Sequence, residues 1–483
     1  MRILSLCLFL SGVLLAGGAE AEYRYAEDST RVVNGVLYDI NGDAVTGIYE
    51  EFYEDNIKKS EMPYVEGILN GVGTLFDERG IKKADMPFIN GSLEGNVLVY
   101  YPDGALKEKI PYKDNKINGI VRYYFSDGIV QSRITYHAGV RDGIAKEYYE
   151  KGQLKEVSFY KNDKLDGKTS RYFIDGRLAE ELLYKQGIQV GENVLFYRSG
   201  EKKSVISYDE KGNKATLKRF YKNGNLLAEI PYQDGELSGE GTFYTPDGTV
   251  DLVVNYAHNQ RNGVATAYYP DGQVRLTVNY TDDAKDGQET EYFENGKIKT
   301  QTPYIDDKAS GISTSFDEDG KVIAEVNYVD GVKSGTFKQY NSEGTVVVEA
   351  TYKNDALDGE YKEFFADGKQ KSVATYENGI RQGLSLVYDE EGNLQYEIPY
   401  VKNRKEGIVK RYYPSGKMMG AVTYEKGQKH GMLDAYNEDE TLMAKVLFNK
   451  NTAIKGYSFE HGENPVLMTS EDLKQINDAY ETD

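Results

Sequence analysis

From Gly47 onward the chain alternates apolar and polar side chains in short runs, and each run stops at a cluster of Gly, Asp, Asn or Pro. Period-two alternation bounded by turn residues predicts strands and argues against helices. In the stretch Gly95 to Asn118, Asn96 to Tyr101 reads as one strand and Pro102-Asp103-Gly104 as a turn. Ala105 to Tyr112 reads as a second strand, and Lys113 to Asn118 leads into the next unit. The pattern then begins again. Steps of 24 residues from Tyr64 reach Phe88, Tyr112, Tyr136, Tyr160, Tyr184 and so on to Phe448, aromatic each time, with no insertion or deletion. A second set, twelve residues out of phase, runs from Phe52 through Tyr100, Tyr124, Tyr148 and Tyr172 to Tyr436. Glycine keeps the same interval from Gly80 to Gly416 without a break, and from Gly47 to Gly431 with one break at Ala215. Self-similarity at a short fixed period marks a repeat array. The chain reads as about seventeen hairpin units.

Turn chemistry predicts how the strands meet. Pro102, Pro246, Pro270 and Pro414 precede Asp-Gly or Ser-Gly. Proline holds φ near −65°, which forbids a type I′ turn there but suits the first central residue of a type I turn. With the glycine next in the left-handed region, the result is a three-residue loop. Tyr100 then lies opposite Leu106, and continuing the alternation places Ile110 and Tyr112 on that face too. At the other connection, the third residue past each clocked aromatic is Gly, Asn or Asp, as in Gly67, Asn115, Gly139 and Asp163. These residues tolerate positive φ. Lys211 departs from this in the unit that also carries Ala215, so a bend or altered loop is expected there. Pro63, Pro87, Pro111, Pro231, Pro303 and Pro399 stand just before clocked aromatics. A proline paired on both sides loses a ladder bond, so either pairing stops on one side or a bulge intervenes.

These rules predict two faces. The aromatic ladder Tyr100, Tyr112, Tyr124, Tyr136, Tyr148, Tyr160, Tyr172 and Tyr184, with Leu106, Val130 and Leu154, is expected to form the hydrophobic spine of one face. The residue after each first-strand aromatic points the other way. It is Tyr101, Phe125, Tyr149, Phe173, Tyr197 and Tyr221 in six successive units, and Thr245, Asp317, Asn341 or Asp389 in several later ones. Lys107, Lys109, Arg133, Lys155, Glu181 and Lys203 are expected beside those six rings. The six are the candidate binding strip, because exposed aromatic rows mark partner surfaces. The plainer alternative is that the rings cover the hairpin edge or pack under lysine stems.

Composition narrows the function. There are 42 tyrosines and no tryptophan, and the formal net charge is −20. Such a polyanion repels phosphate backbones and anionic head groups, so nucleic acid and anionic membrane surfaces are set aside as partners. Arg2, an apolar run from Ile3 to Ala16 and Ala19-Glu20-Ala21 read as a signal peptide over residues 1–21. The one cysteine, Cys7, lies inside it, so the mature chain holds no disulfide, thiolate site or cysteine nucleophile. Residues 22–46 read as a partial N-terminal unit, 47–455 as the repeat array and 456–483 as a C-terminal cap. In that cap Thr469-Ser-Glu-Asp472 has the form of a capping box, and Leu473, Ile476 and Tyr480 follow at helical spacing.

The motif Gly-x4-Tyr-Tyr-Pro-Asp-Gly-x-Leu-Lys, followed by Tyr-Lys-Asn-Asp-Lys-Leu-Asp-Gly as at Tyr160 to Gly167, resembles the MORN-repeat variant family. Its bacterial members include the YwqK-type antitoxin-like proteins. The resemblance runs from Gly47 to Gly431. It implies an all-β fold, an elongated single twisted antiparallel meander with one hairpin per repeat, and protein binding without catalysis. An export signal and so many repeats depart from a small cytoplasmic antitoxin.

No catalytic or metal constellation stands out. His137, His258, His430 and His461 lie far apart with no ligand spacing, no elbow places a Ser/His/Asp set, and no phosphate loop exists. No cofactor is expected. The leading expectation is a bacterial, exported scaffold, periplasmic, cell-surface or secreted, that binds another protein as a monomer. A structural or adhesive envelope element is the second reading. A glycan-binding cell-wall repeat is the third, although such cages lean on tryptophan.

Overall fold

The computed structural model describes residues 30–460 and 463–480. The leader read in residues 1–21, with Cys7, and also His461 lie outside the described residues. The contacts divide the chain into two units, Met1–Gly235 and Glu236–Asp483. In each unit, antiparallel strands pair in chain order, so the all-β meander of hairpins and the short C-terminal helix are both present.

Both kinds of turn follow from backbone preference. At the Pro-Asp-Gly turn the Tyr101 N–H donates to the Ala105 carbonyl at 2.8 Å, and the Gly104 N–H to the Tyr101 carbonyl at 2.9 Å. Gly104 sits at φ +86°. This is the expected three-residue loop of a type I turn closed by a left-handed residue. The other edge uses two-residue turns with positive φ at both central positions, as in Asp114 (49°) with Asn115 (60°) and Asp282 (50°) with Asp283 (72°). That is the type I′ geometry, whose twist matches the flanking strands.

The register contains one feature that alternation alone conceals. Tyr100 pairs with Leu106 as expected, but the next pair is Val99 with Glu108, leaving Lys107 as an extra residue. The same slip recurs in the neighbouring hairpins, beside Tyr124 and Tyr148. A one-residue bulge reverses the side on which every later residue points. Ile110 and Tyr112 therefore lie with Val97 and Val99, not with Tyr100 and Leu106. The aromatic ladder expected on one face is in fact two. Tyr112, Tyr136, Tyr160 and Tyr184 belong to one face, and Tyr100, Tyr124, Tyr148 and Tyr172 to the other.

We call the first of these the packed face. In the first unit its core joins Ala84, Met86, Phe88, Val97, Val99, Ile110, Tyr112 and Val121, all buried. Each fully buried Val, Ile, Met or Phe side chain contributes roughly 1.5–3 kcal/mol. In the second unit Val254, Ala265 and Val278 form one cluster, and Val409, Val422, Val446, Phe448 and Ala453 another.

The prolines before the clocked aromatics are accommodated by a second irregularity. Pro111 pairs with Asn96 on one side. On the other side Lys109 pairs with Arg122 and Tyr112 with Ile117, so the ladder skips Pro111. There it contributes only its carbonyl, which accepts the Asn118 N–H at 2.8 Å. A residue with no N–H loses nothing at such a point.

The unit with Lys211 and Ala215 does have an altered loop. The Asp209 N–H donates to the Asn213 carbonyl at 2.9 Å and the Gly212 N–H to the Asp209 carbonyl at 3.1 Å. A three-residue loop thus replaces the two-residue type I′ turn. The irregularity after it is one residue shorter: Tyr208 pairs with Lys214 and Ser207 with Thr216. By the pair Ser204–Arg219 the register again matches that of Ser132–Glu147 three units earlier. Ala215 can replace glycine here because the wider irregularity that demands positive φ is missing. Two departures from the repeat therefore share one cause.

The C-terminal helix, Ser470–Tyr480, is capped as its sequence predicts. Thr469 N–H donates to Asp472 Oδ2 at 2.7 Å, and Asp472 N–H returns to Thr469 Oγ1 at 3.2 Å. Leu473 and Ile476 pack with Met468 against the cluster around Phe448. The Tyr480 side chain lies outside the described residues. Asn477 Oδ1 accepts the Ala453 N–H at 2.7 Å, tying the helix to the backbone of the strand Thr452–Glu460.

Candidate functional site

The packed face satisfies itself. Arg141 lies 4.4 Å over the Tyr160 ring, and Arg261 and Arg381 each lie 4.1 Å over Tyr280 and Tyr400. The clamp repeats in detail. The Arg141 backbone N–H and Nε both donate to Asp163 Oδ1, at 2.9 and 3.1 Å, and Arg261 treats Asp283 the same way. The Arg141 backbone N–H, and then its guanidinium, hold the Asp163 carboxyl below the usual carboxylate range. These ring faces are already filled by the chain's own cations.

All six residues of the candidate strip are half-buried at the Pro-Asp-Gly edge. Three of the hydroxyls are committed to backbone carbonyls. Tyr101 donates to the Tyr124 carbonyl at 2.7 Å, Tyr149 to that of Tyr172 at 2.8 Å and Tyr197 to that of Phe220 at 2.9 Å. Tyr53, Tyr269 and Tyr413 repeat the bond in other units. Each of these tyrosines therefore straps one hairpin to the next, while Phe125 and Phe173 offer the ring alone. In the later units Asp317 and Asn341 instead accept N–H groups of their own turn, from Lys321 at 2.8 Å and Thr345 at 2.9 Å. Aromatic strap and Asx cap are two ways to hold the same turn. Lys107 lies beside Tyr101 as expected, 6.0 Å over its ring. Lys109, Arg133 and Glu181, expected there too, stand on the face of Tyr100, because the bulge lies before them. Tyr149→Phe is expected to cost about 1 kcal/mol, the net worth of one hydrogen bond, in equilibrium urea unfolding. A loss above about 2 kcal/mol would mean that the ring itself had moved.

The opposite face is open. Ile48, Val72, Ile120 and Ile144 stand at equivalent positions of the repeat, with Asn96 between the second and third, and are 68, 59, 40 and 44% exposed. In the second unit Val264, Ile312, Leu384 and Ile408 stand at the same repeat position and are exposed, with Gln288, Thr336 and Glu360 among them. Ile48 and Val72 pair with Pro63 and Pro87, and Leu384 with Pro399, which adds apolar surface beside them. Tyr100 lies on this face. Burial and the Asp85 carboxylate, which accepts its hydroxyl at 2.8 Å, push the phenol up to about 12. Single exposed apolar residues are ordinary, but a row in step with the fold is the kind of surface a partner covers. Strict alternation misplaces this row, and only the bulge reveals which side it takes.

Reactive groups stay dispersed. Among the described residues no group of three or more His, Cys, Asp or Glu could hold a metal ion. His258 Nδ1 lies 3.1 Å from Glu236 Oε2 and His430 Nε2 lies 3.8 Å from Glu425, both exposed and far apart in sequence. No helix among the described residues is long and apolar enough to cross a membrane.

With this geometry in hand, the chain can be compared with known proteins. The family model described as "MORN repeat variant" matches residues 45–66, 93–114, 117–138, 141–162, 215–234, 261–282, 285–306, 310–330, 333–354, 357–378, 381–402 and 405–426, more than half of the chain. No curated protein matches. Among solved structures, the chain aligns with "Crystal Structure of TcdB2-TccC3" at 11% identity and a TM-score of 0.13, over 86% of this chain and 28% of that one. It aligns with "Crystal Structure of TcdB2-TccC3-TEV" at 12% identity and a TM-score of 0.13, over 92% of this chain and 31% of that one. The chain thus spans less than a third of either, and likenesses this weak carry no weight for fold or function.

Proposed function

The chain belongs to the MORN repeat variant family, and from that premise we propose that it is an extracytoplasmic scaffold that holds another protein on its open face. Members of this family act as non-catalytic repeat scaffolds for protein or membrane interaction. The observation that carries the protein reading is the exposed apolar row Ile48, Val72, Ile120 and Ile144, in step with the hairpins. The net charge of −20 opposes nucleic acid and anionic bilayers over most of the surface. Export follows from the leader sequence, which suits a bacterial periplasmic, cell-surface or secreted protein. The working form is a monomer without a cofactor, since the array supplies its own length of surface.

The test is capture from an envelope extract by the chain from residue 22 onward, compared with Ile120→Ser/Ile144→Ser. One protein held by the parent and lost by the variant, with circular dichroism unchanged, is the expected result. Retention on purified cell wall without a protein partner, or ordered self-association in its place, would overturn the reading.

A further inference from the structure

One row of the open face sets four like charges in succession, whereas elsewhere along it paired charges alternate in sign, apart from Glu50 opposite Glu61, which Lys58 bridges. Directly paired positions on successive strands run Lys109–Arg122–Arg133–Lys146. Like charges directly opposite one another destabilise a sheet. The equivalent row in the second unit alternates in sign, Glu325–Lys338–Glu349–Lys362, and further along Glu397 meets Lys410. Even in the first unit Lys218 faces Glu229. Yet none of the four cations makes an ion pair with a carboxylate among the described residues. Arg122 reaches only the Ile120 carbonyl, at 3.4 Å, and Arg133 lies 5.9 Å over the Tyr148 ring.

The surroundings deepen the anomaly. The row lies between the aromatics Tyr100, Tyr124 and Tyr148 on one side and Ile120, Ile144 and Phe159 on the other. Phe159 is 38% exposed. In both directions the row meets acid only after neutral positions: Leu98 then Asp85, and Val157, Ser170 then Glu181.

We propose that this row is the docking site for a short acidic segment of the partner protein, one that carries about four carboxylates beside apolar side chains. The inference rests on the protein-scaffold reading above. At about 4.8 Å per strand the four cations span roughly 15 Å, so the complementary anion is short. A long polyanion or an anionic bilayer would overrun the row and meet Asp85 and Glu181 on the same face. Beyond a Debye length of about 8–10 Å the attraction of the row is screened, and a longer anion lies instead against the remainder of a chain of net −20. A short segment touches only the cations, and the flanking rings and aliphatic groups cover its apolar side chains.

The probe is a fluorescein-labelled peptide alternating glutamate with leucine, four of each, read by fluorescence anisotropy. A matched peptide with lysine for glutamate is the comparison. The glutamate peptide is expected to bind at least tenfold more tightly than the lysine one and to weaken as salt is raised. Arg122→Glu/Lys146→Glu gives the row the alternating signs found elsewhere. It is expected to weaken the peptide at least tenfold while melting no lower than the parent, which separates lost binding from lost folding. Lys338→Glu, in the second unit, is expected to leave peptide binding unchanged. Equal binding of both peptides, or undiminished binding by the double variant, would overturn the proposal. So would phosphatidylserine vesicles or single-stranded DNA held more tightly than the peptide and released by the same variant. If Arg122→Glu/Lys146→Glu still captures the envelope partner that Ile120→Ser/Ile144→Ser loses, the row is not the site but the scaffold stands. If the parent captures no protein at all, the scaffold reading itself fails.

Discussion

Phe448→Ala is expected to lower the unfolding free energy by about 3–5 kcal/mol, the cost of deleting a large buried aromatic ring. Phe448 is 1% exposed and joins Val446, Ala453, Met468, Leu473 and Ile476, so its ring bridges the last hairpins and the C-terminal helix. The hole cannot be closed from one side. Asn477 on Ala453, the Met468 N–H on the Gly456 carbonyl and the capping box at Thr469 also hold the helix there. In a repeat array each unit leans on its neighbours alone, so the damage should stay at this end. Hydrogen exchange should show Thr452–Glu460 and Ser470–Tyr480 losing protection while the strands around Val97 and Val121 keep theirs. Uniform loss along the chain would show that the array melts as one body and that the local picture is wrong.

A pair of opposite exchanges gives the second large effect. Gly143 sits at φ +124°, in a region nearly closed to other residues, and a Cβ there would lie 3.1 Å from the Thr135 side chain. Gly143→Ala should therefore cost at least about 1–3 kcal/mol in backbone strain. The equivalent position three repeats on, in the altered unit, already carries Ala215, with no such φ. Ala215→Gly should cost only about 0.5–1 kcal/mol, the ordinary entropic penalty of glycine in a strand. Urea midpoints of the two variants measure the difference. Equal losses would mean that Ala215 occupies the same backbone geometry as the glycines, against the register found there.

Hairpin length, turn type and helix cap were all legible in the residues, because each depends on local chemistry. Pro102-Asp103-Gly104 can close in few ways, and Thr469 with Asp472 caps a helix wherever it starts. The pairing of Tyr100 with Leu106 was legible for the same reason. The side on which Tyr112 and Lys109 lie was not. A single extra residue, Lys107, carries no signature of its own, yet it inverts everything that follows it in the strand. The candidate strip shows the same limit. Tyr101 and Tyr149 could be read as facing away from Tyr100, but not as donating to a carbonyl in the next hairpin. The cation row depends on the register alone. Lys109, Arg122, Arg133 and Lys146 are scattered at uneven spacings in the chain and become neighbours only once the register is known.

The loop at Glu210–Gly212 takes one residue more than its counterparts and the ladder beside it one fewer, so the total is conserved. Residues can thus be moved between turn and strand without disturbing anything downstream. By that logic a gene segment encoding one whole repeat could be duplicated, deleted or transplanted, and every flanking strand would still find its mate. Adding a single codon inside a strand would throw the neighbouring pairs out of step. The lineage of such an array can lengthen or shorten its reach in whole modules while each surviving module keeps its own chemistry.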